Sequence, residues 1–272
     1  MKRIVFAIAI VAMFAVQTFA DSAALFPRKW HGNIDKTGFA EPSGIVYHPG
    51  RSTLFVVSDE GLICEMSTDG KRLNTHKFRD KVVGARPDFE GITVNPATGL
   101  LYVAVEGAES ILEIDPVSLV IHHTLMLERT FRGKTVLVKG GQGIEGITFV
   151  PDAKGGLFYI SNQAFPQAKN GELSVIITVR LPEKRENAVL PIASVISMKA
   201  YDISGLCYDK STDRLMVLSD MNNALMQMTR AGVIEHTWAF PGQAQEGIAL
   251  GPGGDVYIAQ DSGGVIKMRW LK

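Results

Sequence analysis

The 272-residue sequence has only two cysteines and no excess charge of either sign. Its 28 basic residues balance its 28 acidic residues, so the net charge does not favour binding to nucleic acid or to an anionic membrane. The six histidines and two cysteines show no HxH, HExxH or CxxC spacing, which argues against zinc and against a redox metal. A phosphate-binding GxxxxGK loop and a GxSxG nucleophile elbow are also missing from the sequence.

One long apolar run is present, and it lies at the N-terminus. Lys2 and Arg3 precede an apolar segment over residues 4–16, and small residues follow as far as Ala20. Such a segment makes about 20 Å of helix, which is short of a hydrocarbon core about 30 Å thick. The pattern predicts a signal peptide over residues 1–20 and a mature periplasmic chain from Asp21, with no stable membrane span. An uncleaved anchor that keeps the chain at the cell membrane is the alternative.

The rest of the chain contains a fivefold repeat. A tetrapeptide ending in Ser-Gly or Glu-Gly opens an apolar run, and an acidic or amide residue follows about 15 positions later. Turn residues separate the apolar runs, and the repeats recur every 42 to 59 residues. Units of this length with short strands are typical of β-propeller blades. The sequence predicts one all-β domain over residues 21–272, a five-bladed β-propeller. The repeat glycines are Gly44, Gly91, Gly146, Gly205 and Gly247.

The last repeat is one strand short. The first four blades are expected over residues 41–80, 88–128, 143–197 and 202–240, but the fifth contains only three apolar runs before the chain ends. Residues 25–34 precede the first repeat, and Pro27 suits an edge strand, where a missing N–H is tolerated. We therefore expect the ring to be closed by an N-terminal strand, formed by residues 25–34, added beside Val265–Trp270 of the last blade.

The two cysteines are expected to remain free thiols. Cys64 falls in the third strand of the first repeat, and Cys207 falls in the first strand of the fourth. These blades are not neighbours in a five-membered ring, so a disulfide is disfavoured even in an oxidising compartment.

Two positions of the repeat are expected at one face of the propeller: the residue before each repeat glycine, and the acidic or amide residue about 15 positions later. The first lies at the start of the inner strand of a blade, and the second lies at the end of the neighbouring strand. Carboxylates held close together raise one another's pKa and need a cation or protons to neutralise them. Oxygen ligands of this kind suit Ca²⁺. The alternative is that Glu-Gly and Ser-Gly only cap the strand and allow close packing. Glu113 is expected on an outer strand, away from this site. The predicted metal ligands are Glu90, Glu145, Glu246, Asp59, Glu106, Asp220 and Asp261.

Two connections are longer than a propeller needs. They cover residues 128–142 and 163–171, and both are expected on the acidic face. Long loops on a rigid face often build a binding pocket. Arg129, Arg132 and Lys134 are candidates for holding an anionic group there. Ordinary insertions are the alternative.

Several segments together resemble the SdiA-regulated YjiK/CarP-like family. They are Val57-Ser58-Asp59, Leu218-Ser219-Asp220, the run 245–249 and the run 255–259. The resemblance covers the chain from about Trp30 to Arg269. It implies an exported five-bladed propeller with a calcium site, distantly similar to NHL-repeat and phytase-like propellers. By matching position, the site falls on the glutamates and strand-end acids named above, with Asn162 as a neutral oxygen ligand in the third blade.

Two functions are compatible with these features. The first is an exported calcium-binding propeller that acts as a sensor, a buffer or an interaction platform, with a small anionic ligand or a protein partner on the acidic face. The second is a calcium-dependent hydrolase, either a phytase-like phosphoesterase or a lactonase, that uses the acidic channel mouth. A bound metal would then polarise the scissile group and lower the pKa of water. A propeller with no ion at its axis is a third interpretation.

Overall fold

The structure is a computed structural model that describes residues 23–36, 38–78, 87–165, 174–242 and 244–271. Within these ranges the chain forms five small antiparallel sheets arranged as a five-bladed β-propeller. The predicted fold class is confirmed, and the predicted blade limits agree with the observed strands to within a few residues. The predicted signal peptide lies outside the described residues.

Each of the first four blades has four antiparallel strands in chain order from the axis outwards. The first blade contains β2 (Pro42–His48), β3 (Thr53–Ser58), β4 (Leu62–Ser67) and β5 (Arg72–Lys77). The second contains β6 (Phe89–Val94), β7 (Leu101–Val105), β8 (Ser110–Ile114) and β9 (Ile121–Leu127). The third contains β12 (Ile144–Val150), β13 (Leu157–Asn162), β14 (Val175–Arg180) and β16 (Ile192–Ser197). The fourth contains β17 (Gly205–Asp209), β18 (Arg214–Ser219), β19 (Ala224–Thr229) and β20 (Ile234–Ala239).

The fifth blade joins the two ends of the chain. Its inner three strands are β21 (Gln245–Leu250), β22 (Asp255–Gln260) and β23 (Val265–Trp270), and its outer strand is β1 (Arg28–Asn33). The N-terminal strand runs antiparallel to the last strand, with Arg28 opposite Trp270 and Asn33 opposite Ile266. The predicted closure is therefore confirmed. It leaves no blade with an unpaired third strand.

Small residues allow the five inner strands to pack backbone to backbone around the axis. A Cβ built on Gly44 would lie 2.2 Å from the carbonyl oxygen of Glu90, and one built on Gly91 would lie 2.5 Å from the carbonyl oxygen of Glu145. Real Cβ atoms do not approach a carbonyl this closely. The repeat glycines are thus needed because the backbone of the next blade occupies the space of a side chain.

Three additional strands lie outside the regular blades. β10 (Thr130–Phe131) and β11 (Lys134–Thr135) form a hairpin beside β16. β15 (Ala188–Leu190) leaves the third blade and pairs in parallel with β9, which gives the second blade a fifth strand. Nowhere in the described ranges is there a helix with the length and apolarity that a membrane crossing needs.

The hydrophobic core lies between the blades, in clusters that each pack the faces of adjacent sheets. Both cysteines belong to these clusters as free thiols. Cys64 of β4 is fully buried, as expected, whereas Cys207 of β17 is only partly buried.

Candidate metal site at the acidic channel mouth

The residues that precede the repeat glycines form a ring at one end of the channel. β-Bulges set the position of four of these residues. Pairing between β2 and β3 skips Ser43, and pairing between β21 and β22 skips Glu246. The second and third blades have the same irregularity at Glu90 and Glu145. A bulge bends the strand and redirects the side chain that it carries. The same distortion therefore recurs at the start of four inner strands. These starts lie at one end of the channel, and we call this end the acidic mouth.

The serines and the glutamates of this ring behave differently. The Ser204 hydroxyl donates to the carbonyl oxygen of Gln245 at 2.6 Å, and the Ser43 hydroxyl donates to that of Glu41 at 3.3 Å. Capping thus accounts for the serines. In contrast, no residue within the described ranges donates a hydrogen bond to, or forms an ion pair with, the carboxylates of Glu90, Glu145 and Glu246.

The tightest carboxylate group lies on the second blade. Asp88, Glu90 and Glu106 each offer an oxygen, and these three atoms lie within 4.8 Å of one another. Glu106 follows β7, and its side chain extends to the start of the third blade, where it fills the space next to Gly143. All three residues are partly buried. Such a spacing allows one ion to contact all three.

Burial and like charge act together on the ring glutamates. Burial raises the pKa of Glu90 well above its usual range, and the carboxylates of Asp88 and Glu106 raise it further. Glu145 is only 5% exposed, and its pKa is also raised strongly, first by burial and then by Glu90 and Glu246. Among the described residues, no cation contributes to these shifts. The site therefore favours binding a cation or retaining protons.

Two further carboxylates show the same effect. Burial, followed by Asp202 and Asp220, raises the pKa of Glu246 to about 8. Burial, followed by Glu41 and Asp261, raises the pKa of Asp59 to about 6. The Oδ1 atom of Asp59 is buried and accepts no hydrogen bond from a residue that the structure describes. A buried oxygen of this kind next to other carboxylates is a candidate ligand for a cation.

The predicted ligands of the third to fifth blades are partly engaged by the protein itself. Asp220 accepts a hydrogen bond from the backbone N–H of Gln245 at 2.8 Å, and Asp261 is exposed. Asn162 accepts a bond from the N–H of Val175 at 2.8 Å, so its oxygen fastens the start of β14. Of the predicted ligands, Glu90 and Glu106 belong to the tight group, while Glu145, Glu246 and Asp59 influence its charge.

Sequence reasoning missed three acids of the mouth, and one of them, Glu41, raises the pKa of Asp59. Asp88 belongs to the tight group, and Asp202 lies close enough to Glu145 and Glu246 to raise the pKa of each. Burial and then Asp220 raise the pKa of Asp202 itself, although hydrogen bonds from Gln163 and Met221 oppose this. The missed signal was present, since the first residue of the repeat tetrapeptide is acidic in three of the five blades.

Two expectations about the basic residues near the acidic mouth change. Arg129 forms an ion pair with buried Glu109, on the second blade. The hairpin that carries Arg132 and Lys134 lies beside the outer strand of the third blade, towards the rim. Residues 166–171 of the second long connection lie outside the described residues.

Glu113, which was expected on an outer strand, lies inside the second blade. It lies in β8, the third strand of its blade, and is almost completely buried. There it forms an ion pair with Arg185 and accepts a hydrogen bond from the Tyr102 hydroxyl at 3.0 Å. Substitution of Glu113 would disturb packing and is unsuitable as a neutral control.

The donor set fits a hard divalent cation. Asp88, Glu90 and Glu106 supply carboxylate oxygens only, which match the preference of Ca²⁺ for six to eight oxygen ligands. Two further carboxylates add negative charge nearby. Glu145 has no hydrogen-bond or ion-pair partner among the described residues, and the Oδ1 atom of Asp59 accepts no hydrogen bond from them. Neither His nor Cys belongs to this group, so it does not suit zinc.

Fold and site together define a five-bladed β-propeller with a carboxylate-rich channel mouth. Residues 37–193, more than half of the chain, match the family model described as "Phytase-like: Esterase-like activity of phytase". The chain belongs to this phytase-like family. No curated protein sequence matches the chain significantly.

Solved structures share the fold at low sequence identity. Glutaminyl cyclase from Myxococcus xanthus is 13% identical with a TM-score of 0.60, over 90% of this chain and 97% of that one. A chain of the nidogen/laminin complex is 13% identical with a TM-score of 0.54, over 84% and 76%. Streptogramin B lyase is 11% identical with a TM-score of 0.52, over 90% and 98%. At these identities the likeness concerns the fold alone.

Proposed function

We propose that this protein is an exported calcium-binding propeller, whose acidic mouth holds the ion through Asp88, Glu90 and Glu106. The observation that carries the proposal is the convergence of these three carboxylates, whose oxygens lie within 4.8 Å of one another, beside Glu145 and Glu246, which have no cationic or hydrogen-bonding partner among the described residues. Glu145 and Glu246 increase the negative potential at the same place. The resemblance to the SdiA-regulated YjiK/CarP-like family supports the export and the calcium site. Periplasmic location and a sensor, buffer or platform role form part of this proposal.

Metal analysis tests the proposal directly. Protein purified in calcium-containing buffer and then desalted is expected to retain about one Ca²⁺ per chain, measured by inductively coupled plasma mass spectrometry. Glu186 lies in the connection between β14 and β16, on the opposite face, and is exposed. A Glu186→Gln variant should retain the same amount of calcium. Glu90→Gln removes a proposed ligand and should lose the calcium. Loss of calcium in both variants, or retention in both, would show that the ion does not bind through Glu90.

A second function, calcium-dependent ester hydrolysis, is favoured by the family match, whose description names an esterase-like activity. A bound Ca²⁺ would supply Lewis acidity towards a carbonyl or phosphoryl oxygen. The residues of the chain would bind the ion, position the attacking water and accept its proton. Glu145, a buried carboxylate with a raised pKa beside the tight group, is the candidate base.

A substrate panel separates the two functions. Phosphomonoesters, lactones and p-nitrophenyl esters are incubated with the protein in Ca²⁺ and in excess chelator. Turnover that requires Ca²⁺ and disappears in both Glu90→Gln and Glu145→Gln would select the hydrolase. If calcium binds and no member of the panel turns over faster than with Glu90→Gln protein, the binding function stands alone.

A further inference from the structure

The opposite end of the channel has a second ring, formed by side chains three residues after each repeat glycine. Together with the prolines of the following turns, these side chains line a depression of about 460 Å³, here named the apolar mouth. This volume lies within the range of small-molecule pockets, about 300–1,000 Å³. The ring residues are Tyr47, Val94, Phe149, Tyr208 and Leu250.

The apolar mouth is separate from the acidic mouth. Between the two lie the repeat glycines and the isoleucine or leucine that follows each of them. The inner strands approach so closely there that a Cβ on Gly44 would meet the backbone of the next blade at 2.2 Å. The constriction allows each end of the channel to bind its own ligand.

Buried hydroxyl groups form the floor of the apolar mouth. The Thr93 hydroxyl oxygen accepts the N–H of Phe149 at 3.0 Å, and that of Thr148 accepts the N–H of Tyr208 at 3.0 Å. The two threonines are only 5% and 4% exposed. Each hydroxyl keeps a proton to donate, and the described residues provide no acceptor for either. The floor therefore offers hydrogen-bond donors to a ligand that carries oxygen acceptors.

The unpaired charge at the rim is positive. Lys210 lines the mouth, is exposed and has no carboxylate partner among the described residues. Nearby Asp209 accepts bonds from the side chains of Ser211 and Thr212 within its own turn. Asp255, also at the rim, pairs with Lys267 at 2.8 Å and with Arg269 at 2.9 Å. A negatively charged ligand would thus meet the ammonium group of Lys210, while hydroxyl groups of its own turn hold the carboxylate of Asp209.

We propose that the apolar mouth binds a small planar carboxylate, whose aromatic body lies among Tyr47, Phe149 and Tyr208. Its carboxylate pairs with Lys210 at the rim. Aromatic walls favour a flat ring system because such surfaces stack with little loss of conformational entropy. The charge of Lys210 then distinguishes an acid from a neutral molecule of the same shape.

The probe for this site is 2-naphthoate, with 2-naphthylmethanol as its uncharged counterpart. Both are titrated calorimetrically into the protein in excess chelator, so that calcium binding at the acidic mouth does not contribute. Saturable one-to-one binding of 2-naphthoate is expected. Lys210→Glu should weaken it at least about tenfold, because charge attraction becomes repulsion. The same variant should change the affinity for the alcohol less than twofold.

Lys154→Glu is the matched control, since Lys154 is exposed on the same face and does not line the mouth. It should bind 2-naphthoate like the parent. Leu250→Trp, which fills the depression, should abolish binding of both probes, and a retained calcium affinity would show that this variant folds. Absence of saturable binding to the parent would overturn the proposal. Equal weakening by the two lysine substitutions, or naphthoate affinity unchanged in Lys210→Glu, would also overturn it.

Discussion

Gly91 and Glu145 meet across the boundary between the second and third blades, with the Cα of the glycine against the backbone of the glutamate. A Cβ at Gly91 would lie 2.5 Å from the Glu145 carbonyl oxygen and 2.6 Å from the Ile147 nitrogen. Neither backbone atom can move without disturbing the next inner strand. This contact thus links the packing of the second blade against the third to the position of the Glu145 carboxylate at the acidic mouth.

The first prediction concerns this contact. Gly91→Ala should lower the free energy of unfolding by about 1–3 kcal/mol, as overpacking of a tight interior does. Urea denaturation measures the change. Gly50→Ala is the control, because a Cβ there would meet only the His48 side chain, at 3.4 Å. If both variants unfold at the same urea concentration as the parent, inner-strand packing is looser than the structure indicates.

The second prediction concerns ring closure. Phe26 precedes β1, is 2% exposed and packs with ring centroids 5.3 Å from Trp270 and 5.4 Å from Trp238. Phe26→Ala should destabilise the fold by about 3–5 kcal/mol, since it removes a buried aromatic ring between the fourth and fifth blades. Its neighbour Leu25 is 62% exposed, so Leu25→Ala should have little effect. Similar melting temperatures for the two variants would show that the N-terminal segment does not hold the ring closed.

The third prediction is a pH dependence of the metal-free protein. The pKa of Glu246 is raised to about 8 and that of Asp59 to about 6, so the folded state retains protons that the unfolded chain releases. Their contribution to stability is complete below about pH 4 and is lost as the pH rises through these two values. The melting temperature in chelator should therefore fall by several degrees between pH 5 and pH 8.5.

The same experiment has two internal controls. Saturating Ca²⁺ should reduce this fall, because bound calcium replaces the protons as counter-charge. Glu246→Gln should also flatten the profile in chelator, since it removes the group that titrates at the highest of these values. A melting temperature that stays constant or rises with pH in chelator would contradict the electrostatic account of the mouth.

Much of the fold is readable from the sequence because propeller blades repeat. The glycine in each repeat has one physical cause, the backbone of the next blade, and this cause recurs five times. Closure by the N-terminal strand followed from the missing fourth strand after Val265–Trp270. The parallel strand Ala188–Leu190 was not predicted, because its partner belongs to another blade and its own sequence carries no strand alternation that specifies this pairing.

The site was harder to predict than the fold. Position in the repeat identified Glu90 and Glu106 but did not show that Asp88 completes their group, because the bulge at Glu90 alters which side chains converge. Similarly, the strand-end position of Asn162 suggested a ligand but did not show that its oxygen accepts a hydrogen bond from the N–H of Val175. Such hydrogen bonds depend on the path of a neighbouring loop, which the repeat does not encode.

The fourth prediction concerns export. Lys2, Arg3 and the apolar run up to residue 16 predict cleavage after Ala20. Intact-mass measurement of protein recovered from the periplasm of an expressing bacterium should give a chain that begins at Asp21. Recovery of the full-length chain in the membrane fraction would indicate an uncleaved anchor.

The fifth prediction tests the central claim, that the clustered carboxylates at the acidic mouth bind calcium. Ca²⁺ is titrated calorimetrically into metal-free parent, Glu145→Gln and Glu186→Gln proteins. The parent and Glu186→Gln should bind one ion with equal affinity. Glu145→Gln should bind it at least about tenfold more weakly, because one buried negative charge is gone. Calcium affinity of Glu145→Gln equal to that of the parent would contradict the account.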